Sequence, residues 1–166
     1  MSGGPSLHRG PFPEIAELIP HARRMLLLDR VIEHGPERAV CSVEVDRSEL
    51  FRDAEGCVPA WVGIEYLAQC TAVYGSLLAR ATGTPPPIGP LIGARRVALS
   101  VERFRAGQRL LVAVEHLRGE RGLVAFDGKI QDAAGGETLV EGRLNVVSAE
   151  QWTERPRGTR SQRNAP

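Results

Sequence analysis

The sequence predicts an α+β fold in which an antiparallel sheet wraps around one long central helix. Residues 59–80, PAWVGIEYLAQCTAVYGSLLAR, are apolar on almost every side of a helix, which is typical of a buried helix. The segments that follow read as four strands joined by short turns, and short turns favour antiparallel pairing. At 166 residues, the chain has the length of one domain with a sizeable core.

Two strands and a short helix are predicted before the long helix. Residues 1–13 are rich in Gly, Pro and Ser, which predicts a flexible N-terminal arm. Residues 14–19 have the pattern of a short amphipathic helix. Residues 25–32 are a strand candidate, and residues 38–45 alternate apolar and polar side chains as a half-buried strand does. Residues 46–58 contain few apolar side chains and are predicted to form a loop.

Four strands and a polar tail are predicted after the long helix. The strands cover residues 88–101, 109–117, 123–131 and 137–147. Gly89 and Gly93 suit the close approach of a second backbone to the first of these strands. Residues 148–166 are polar and rich in arginine, which predicts a disordered tail. The folded domain is therefore expected to cover residues 14–147, and one sheet around one helix is the hotdog architecture.

The composition argues against several classes of function. The net charge of +1 gives no global field that would favour nucleic acid or a membrane surface. No apolar run is long enough to cross a bilayer, and no signal peptide is recognised, so a cytoplasmic location is expected. Cys41, Cys57 and Cys70 lack paired spacing, which argues against a disulfide framework and against a zinc site. We expect no metal.

A carboxylate and an amide interrupt the apolar wall of the long helix. Glu65 and Gln69 are four residues apart and therefore share one face of the helix. Removing a charge from water is costly, so a buried carboxylate needs a partner. Two interpretations are open for Glu65. It forms a structural hydrogen bond to a loop amide or an arginine, or it is a catalytic acid beside its orienting amide.

Two segments of the chain resemble one known family. Residues 18–31, LIPHARRMLLLDRV, resemble the LPHRxPxLLxDRV opening of FabZ-type 3-hydroxyacyl-[acyl-carrier-protein] dehydratases. Residues 64–69, IEYLAQ, resemble the helix motif of that family, which ends in EAMAQ. Residues 59–66, PAWVGIEY, look most like the ApeP-like branch found with aryl-polyene synthesis. The likeness covers residues 14–147, and the two motifs occur in order and at the family's spacing.

The resemblance implies a function and a set of partners. A FabZ-like protein acts on 3-hydroxyacyl thioesters carried on acyl carrier protein, in fatty acid, aryl polyene or polyketide synthesis, and gives the 2-enoyl thioester. The resemblance implies no cofactor, because the substrate is carried on phosphopantetheine. It implies acyl carrier protein as a partner and a hotdog dimer, formed with a second copy or with another hotdog subunit.

One residue departs from the family pattern. FabZ-type enzymes carry a catalytic histidine in a GHFP loop, fourteen residues before the helix glutamate, and Phe51 occupies that position here. Dehydration needs a base for the C2 proton, an acid for the departing hydroxyl and donors for the developing oxyanion. Glu65 matches the family's acid. Of the four histidines, His21 is the candidate base, and we expect its ring within ~6–8 Å of Glu65. The alternative is a histidine that fixes the entry to the first strand.

The residues expected to bind substrate form two sets. The first lies at the start and on one face of the long helix, where backbone N–H groups suit a thioester carbonyl: Trp61, Val62, Gly63 and Gln69. The second is Arg95 and Arg96, which we expect to contact phosphopantetheine, because the guanidinium fork binds phosphate in a bidentate way.

Two other functions remain open at this point. In a hotdog thioesterase, Glu65 would activate water against the thioester. In a non-catalytic partner subunit, the chain would support the tunnel of an active dehydratase, and Phe51 in place of the loop histidine favours that interpretation.

Overall fold

The computed structural model describes residues 8–21, 23–45, 49–85, 88–117, 119 and 122–148. The strands are β1 (Arg30–His34), β2 (Arg38–Glu44), β3 (Val58–Pro59), β4 (Ile88–Leu99), β5 (Arg103–Phe104), β6 (Arg109–Leu117), β7 (Leu123–Asp132) and β8 (Thr138–Ser148). The helices are α1 (Ile15–Leu18) and α2 (Gly63–Thr82), with 3₁₀ turns at Arg23–Met25 and Ala60–Val62.

Six strands form one antiparallel sheet in the order β1-β2-β6-β7-β8-β4. The helix α2 packs on one face of this sheet, against β6, β2 and β7. Short β3 and β5 form a separate pair beside the start of α2. The predicted α+β hotdog fold is confirmed. No helix among the described residues is long and apolar enough to cross a membrane.

Buried and more exposed side chains alternate along the strands, and the buried ones form the core on the side of the sheet that faces α2. Along β6, Leu110, Val112 and Val114 are fully buried, while the residues between them are partly exposed or exposed. The helix contributes Leu67 and Val73 to the same core. Each such side chain stabilises the fold by about 1.5–3 kcal/mol when it leaves water. Burial on this scale fixes the face of α2 that meets the sheet.

The first strand begins later than predicted. The sequence suggests residues 25–32, whereas β1 begins at Arg30. The reason lies in the hydrogen bonds of the preceding segment. Met25 C=O and Leu27 N–H bond to the side chain of Gln69 rather than to a neighbouring strand. The ladder starts only where the Asp29 N–H donates to Ser42 C=O, at 2.8 Å.

The central helix also begins later than predicted. Pro59 belongs to β3, and a 3₁₀ turn over Ala60–Val62 leads into α2 at Gly63. A Cβ atom on Gly63 would lie 2.8 Å from Ile130 Cδ1 and 3.3 Å from Phe104 Cζ. Glycine therefore allows the helix to enter the core close to the sheet.

Part of the predicted arm is docked against the fold. His8 forms an antiparallel bridge with His34 at the end of β1, and Phe12 packs against the core. The expectation of a loose arm is thus wrong for residues 8–13. Residues 1–7 and 149–166 lie outside the described residues, so the predictions for those parts of the arm and tail stay predictions. The predicted domain end at residue 147 is close to the end of β8 at Ser148.

We expect Gly63→Ala to lower the free energy of unfolding by about 1–2 kcal/mol. Overpacking a tight core site costs about 1–3 kcal/mol, and the helix propensity of alanine offsets at most about 1 kcal/mol of this. Urea denaturation measures the difference. The control is Gly135→Ala, where the added Cβ meets nothing within 4 Å. Equal stability of the two variants would contradict the close approach at Gly63.

Candidate active site

Glu65 lies in the first turn of α2 and meets two other polar side chains there. Its Oε1 atom accepts a hydrogen bond from Gln69 Nε2 at 2.9 Å. The same oxygen lies 3.7 Å from His21 Nε2. The side chains of Glu65 and His21 are 33% and 31% exposed, so both are accessible from outside the core. One oxygen of the carboxylate thus meets both neighbours.

Gln69 connects the helix to the segment that carries His21. Its side chain is completely buried, and its Nε2 donates both to Glu65 and to Met25 C=O, the latter at 2.6 Å. Its Oε1 accepts from Leu27 N–H at 3.1 Å. Both amide protons and the carbonyl oxygen are thus engaged by protein groups. Gln69 orients Glu65 and holds the entry to β1, which corrects the expectation that it binds substrate directly.

His21 is closer to Glu65 than the sequence suggests. The distance is 3.7 Å from ring nitrogen to carboxylate oxygen, against the expected ~6–8 Å. This distance is longer than that of a hydrogen bond. The Nδ1 atom of His21 is buried and has no hydrogen-bond partner among the described residues. Buried polar atoms without partners are uncommon and call for an explanation such as a catalytic role.

The helix start offers fewer free donors than expected. The Gly63 N–H donates to the carbonyls of Ala60 and Trp61, and the Ala60 N–H donates to Glu102 C=O. Val62 is completely buried, so its side chain belongs to the core. The Gly63 contacts correct the assignment of its N–H as a substrate donor. The side chain of Val62 is unavailable to a substrate, and the role expected for its backbone N–H stays a prediction. Trp61 remains a candidate, because its side chain is 56% exposed one turn before Glu65.

Phe51 occupies the position of the family's loop histidine and packs beside the site. Its ring meets that of Trp61 edge to face, with centroids 5.8 Å apart. The loop after Phe51 is held by Asp53, which accepts hydrogen bonds from the backbone N–H groups of Cys57 and Glu55 and from Arg103. Hydrogen bonds to the carboxylate, the Cys57 N–H first among them, lower the pKa of Asp53. At the position of the histidine, the loop presents an apolar ring and not an ionisable group.

Tyr66 follows Glu65 but is unsuited to proton transfer. It is buried and stacks on Phe104 with ring centroids 5.9 Å apart. Burial, with a smaller contribution from Asp29, raises the pKa of Tyr66 to about 12. Its hydroxyl therefore stays protonated near neutral pH and is a poor base.

Arg95 and Arg96 lie on the other side of the sheet. Arg96 has a φ of 52°, which is uncommon for a residue other than glycine. It lines a groove of about 430 Å³ with charged residues of β6, β7 and β8: Glu115, Asp127, Lys129, Glu141 and Arg143. These charged residues alternate with buried core residues, so the groove is on the face away from α2. Arg95 is opposite Arg143 in the ladder. Arg95 and Arg96 are therefore on the opposite face of the sheet from Glu65, which argues against the expected contact with phosphopantetheine at that site.

The described residues include no group of three or more His, Cys, Asp or Glu side chains arranged to hold a metal ion. The site offers instead an imidazole and a carboxyl group on one side of the sheet, next to the start of a helix. Such a pair can take a proton from one atom of a bound molecule and give one to another.

Comparison with known proteins places these features in a family. A family model described as ApeP-like, ApeP dehydratase, matches residues 13–155. The 3-hydroxyacyl-[acyl-carrier-protein] dehydratase FabZ of Acinetobacter baylyi is 28% identical over 131 residues, which cover 73% of this chain and 88% of that protein.

Solved structures show the same fold. The dehydratase heterocomplex ApeI:P from Xenorhabdus doucetiae contains a chain that is 27% identical, with a TM-score of 0.76 over 87% of this chain and all of that one. Zebra fish thioesterase superfamily member 2 has a TM-score of 0.57 at 16% identity, covering 80% of this chain and 89% of its own. The thioesterase likeness shows the fold alone.

Sequence reasoning missed the link between Gln69 and the segment of residues 25–27. A signal was present in the sequence. Gln69 is a single amide within an apolar helix and needs buried hydrogen-bond partners. The apolar run that ends before Asp29 is also expected to be buried, and its backbone N–H and C=O groups are suitable partners.

We expect Gln69→Leu to lower both stability and activity. The change leaves Leu27 N–H and Met25 C=O unpaired in the core, and each unpaired buried group costs about 1–3 kcal/mol. It also releases Glu65 and the His21 segment, so kcat should fall about 10–100-fold, more than KM changes. Urea denaturation and steady-state kinetics measure the two effects. The control is Thr71→Val on the same helix, because Thr71 Oγ1 donates, within the part of the chain that the structure describes, only to the C=O of Leu67 one turn earlier. Equal kcat in the two variants would contradict the positioning role.

Proposed function

Because this chain belongs to the ApeP-like dehydratase family, we propose that it removes water from 3-hydroxyacyl thioesters carried on acyl carrier protein. The product is the 2-enoyl thioester, and the reaction makes the protein a lyase. The observation that carries the proposal is the meeting of His21 and Glu65 at 3.7 Å within one chain. The substrate reaches the site on phosphopantetheine, so the reaction of this chain uses no further cofactor.

In the proposed reaction, His21 takes the proton from C2 of the substrate, and protonated Glu65 gives its proton to the hydroxyl on C3. The C–O bond breaks, water leaves, and the double bond forms between C2 and C3. The step leaves an imidazolium and a carboxylate. Because the two groups lie 3.7 Å apart, His21 can return the proton to Glu65 directly and restore the starting state.

The surroundings of the pair support these roles. Gln69 holds one carboxylate oxygen, so Glu65 presents the other in a defined direction. The exposed side chain of Trp61 forms an apolar wall one turn away, beside Phe51. In the site of this chain, the backbone N–H groups of Trp61 and Val62 are the candidate donors to the thioester carbonyl, since the Ala60 and Gly63 amides are engaged elsewhere.

The proposed assembly is a pair of hotdog subunits joined through β4. This strand is at one edge of the sheet and exposes Ile92, Val97 and Leu99. A long apolar edge strand is a template for pairing with a second chain. The related ApeP-like structure is a heterocomplex, which supports a different hotdog subunit as the partner of this chain.

A second function is favoured by one observation. Phe51 stands where the family's loop histidine is expected, so the chain could instead be a non-catalytic subunit that supports the site of its partner. Variants of His21 and Glu65 distinguish the two functions, because only the dehydratase proposal gives these side chains a chemical step.

We expect Glu65→Gln and His21→Ala each to lower the dehydration rate at least ~100-fold, the usual size of an acid–base contribution. Both variants should keep the melting temperature within a few degrees, because both side chains are partly exposed. The assay follows enoyl thioester and free thiol formed from 3-hydroxyacyl carrier protein. Glu137→Gln, an exposed carboxylate, is the control. No turnover by the unmodified chain alone, together with turnover on adding a second hotdog subunit that neither substitution changes, would favour the non-catalytic subunit. Release of free thiol without loss of water would favour a thioesterase.

We expect Ile92→Glu to dissociate the two-subunit assembly, because a charge replaces an apolar side chain that is 54% exposed on the edge strand. Light scattering measures the mass of the chain alone and after co-purification with a second hotdog subunit. The control is Leu123→Glu, which places the same charge at a 41% exposed leucine on β7, inside the sheet. A stable monomer of the unmodified chain in both settings would argue against pairing through β4.

A further inference from the structure

The two edges of the main sheet differ in length and in what lies over them. The β4 edge is twelve residues long and exposes three large apolar side chains. The β1 edge is five residues long, and its ladder with β2 shifts register between Val31 and Glu33. Like any edge strand, β1 has backbone N–H and C=O groups that can pair with another chain. Residues 8–13 lie at this edge.

That segment pairs with β1 through its backbone. The His8 N–H donates to His34 C=O at 2.8 Å, and the His34 N–H donates to His8 C=O at 3.0 Å. Two residues that exchange both hydrogen bonds form the hydrogen-bonded pair of an antiparallel ladder. Among the described residues, this is the one bridge outside the named strands. The edge groups of His34 are therefore taken by the chain itself.

Side chains hold the segment on either side of this bridge. The Glu33 carboxylate is 12% exposed and lies between two guanidinium groups, with Arg9 Nη2 at 3.4 Å and Arg38 Nε at 3.2 Å. Phe12 packs against the core and meets the His8 ring edge to face, with centroids 5.2 Å apart. The contact is thus a backbone bridge supported by an ion pair and by apolar packing.

The segment is also a poor template for a further strand. Pro11 and Pro13 have no N–H groups, so they cannot donate to another chain. Prolines at sheet edges are a common means of preventing strand addition. The segment therefore ends the sheet on this side and does not extend it.

We propose that residues 8–12 are an edge cover, a segment of the chain that occupies the β1 edge and prevents pairing there. The edge cover restricts association between subunits to β4. With one edge covered, sheet pairing gives a closed pair of subunits; with both edges open, the same chain can add subunits at each end. The role concerns assembly and is independent of the chemistry at Glu65.

The test uses the full chain with His8→Pro and Arg9→Ala combined. Proline removes the N–H that donates to His34, and alanine removes the ion pair to Glu33. We expect the His34 amide to exchange its hydrogen at least ~10-fold faster, since its bond to His8 is lost with the segment. We expect light scattering to show species larger than two subunits that grow with protein concentration. Adding Ile92→Glu should reduce these species to pairs joined through β1.

Arg105→Ala is the matched control, because Arg105 is 79% exposed and faces a 14% exposed carboxylate of Asp132, much as Arg9 is 77% exposed and faces Glu33. It should leave both the exchange of the His34 amide and the assembly size unchanged. Glu33→Gln is a second route to the same release and should give a smaller increase in both measurements. Faster exchange at His34 with no change in assembly size would overturn the proposal, and so would unchanged exchange in the combined variant.

Discussion

The buried amide of Gln69 is the interaction on which the site depends. Among the described residues, it is the polar side chain that touches both the helix carboxylate and the backbone before the first strand. Without it, the segment at Met25–Leu27 would lose its hydrogen bonds to α2, and His21, four residues before Met25, would have no fixed distance from Glu65. An unpaired polar group inside a core lowers the stability of the fold, so the three hydrogen bonds of Gln69 strongly favour this one arrangement of the segment and the helix.

The fold can be predicted well because it follows from patterns that are local in the sequence. Alternating apolar and polar residues predict the strand at Arg109–Leu117. Apolar residues on almost every side predict that α2 is the central, buried helix. The starts of β1 and α2 differ from the prediction for a physical reason. Both are decided by contacts between distant residues, Gln69 with Leu27 and Gly63 with Ile130, and no local pattern carries that information.

In the site too, local motifs can be predicted from the sequence, whereas contacts between distant residues cannot. Motifs predict Glu65 and His21, and the structure brings the two side chains together, although their chemical roles stay predictions. The prediction for Arg95 and Arg96 rests on the affinity of a guanidinium group for phosphate, which carries no information about position. A bulge in β4 and the pleat of the sheet decide which face an edge residue occupies. The backbone donors at the helix start, expected to be free, are engaged in part by the chain's own 3₁₀ turn.

The position of His21 and Glu65 on a single chain has a consequence for stoichiometry. If the acid and the base came from opposite subunits, every site would span an interface, and the number of sites would depend on which subunits had met. On the proposed roles, both groups come from one polypeptide, where they lie 3.7 Å apart, and the number of proposed sites equals the number of copies of this chain. An assembly with a different hotdog subunit would then hold one such pair of groups per two chains, and the sequence of that second subunit would be free to diverge at the equivalent positions.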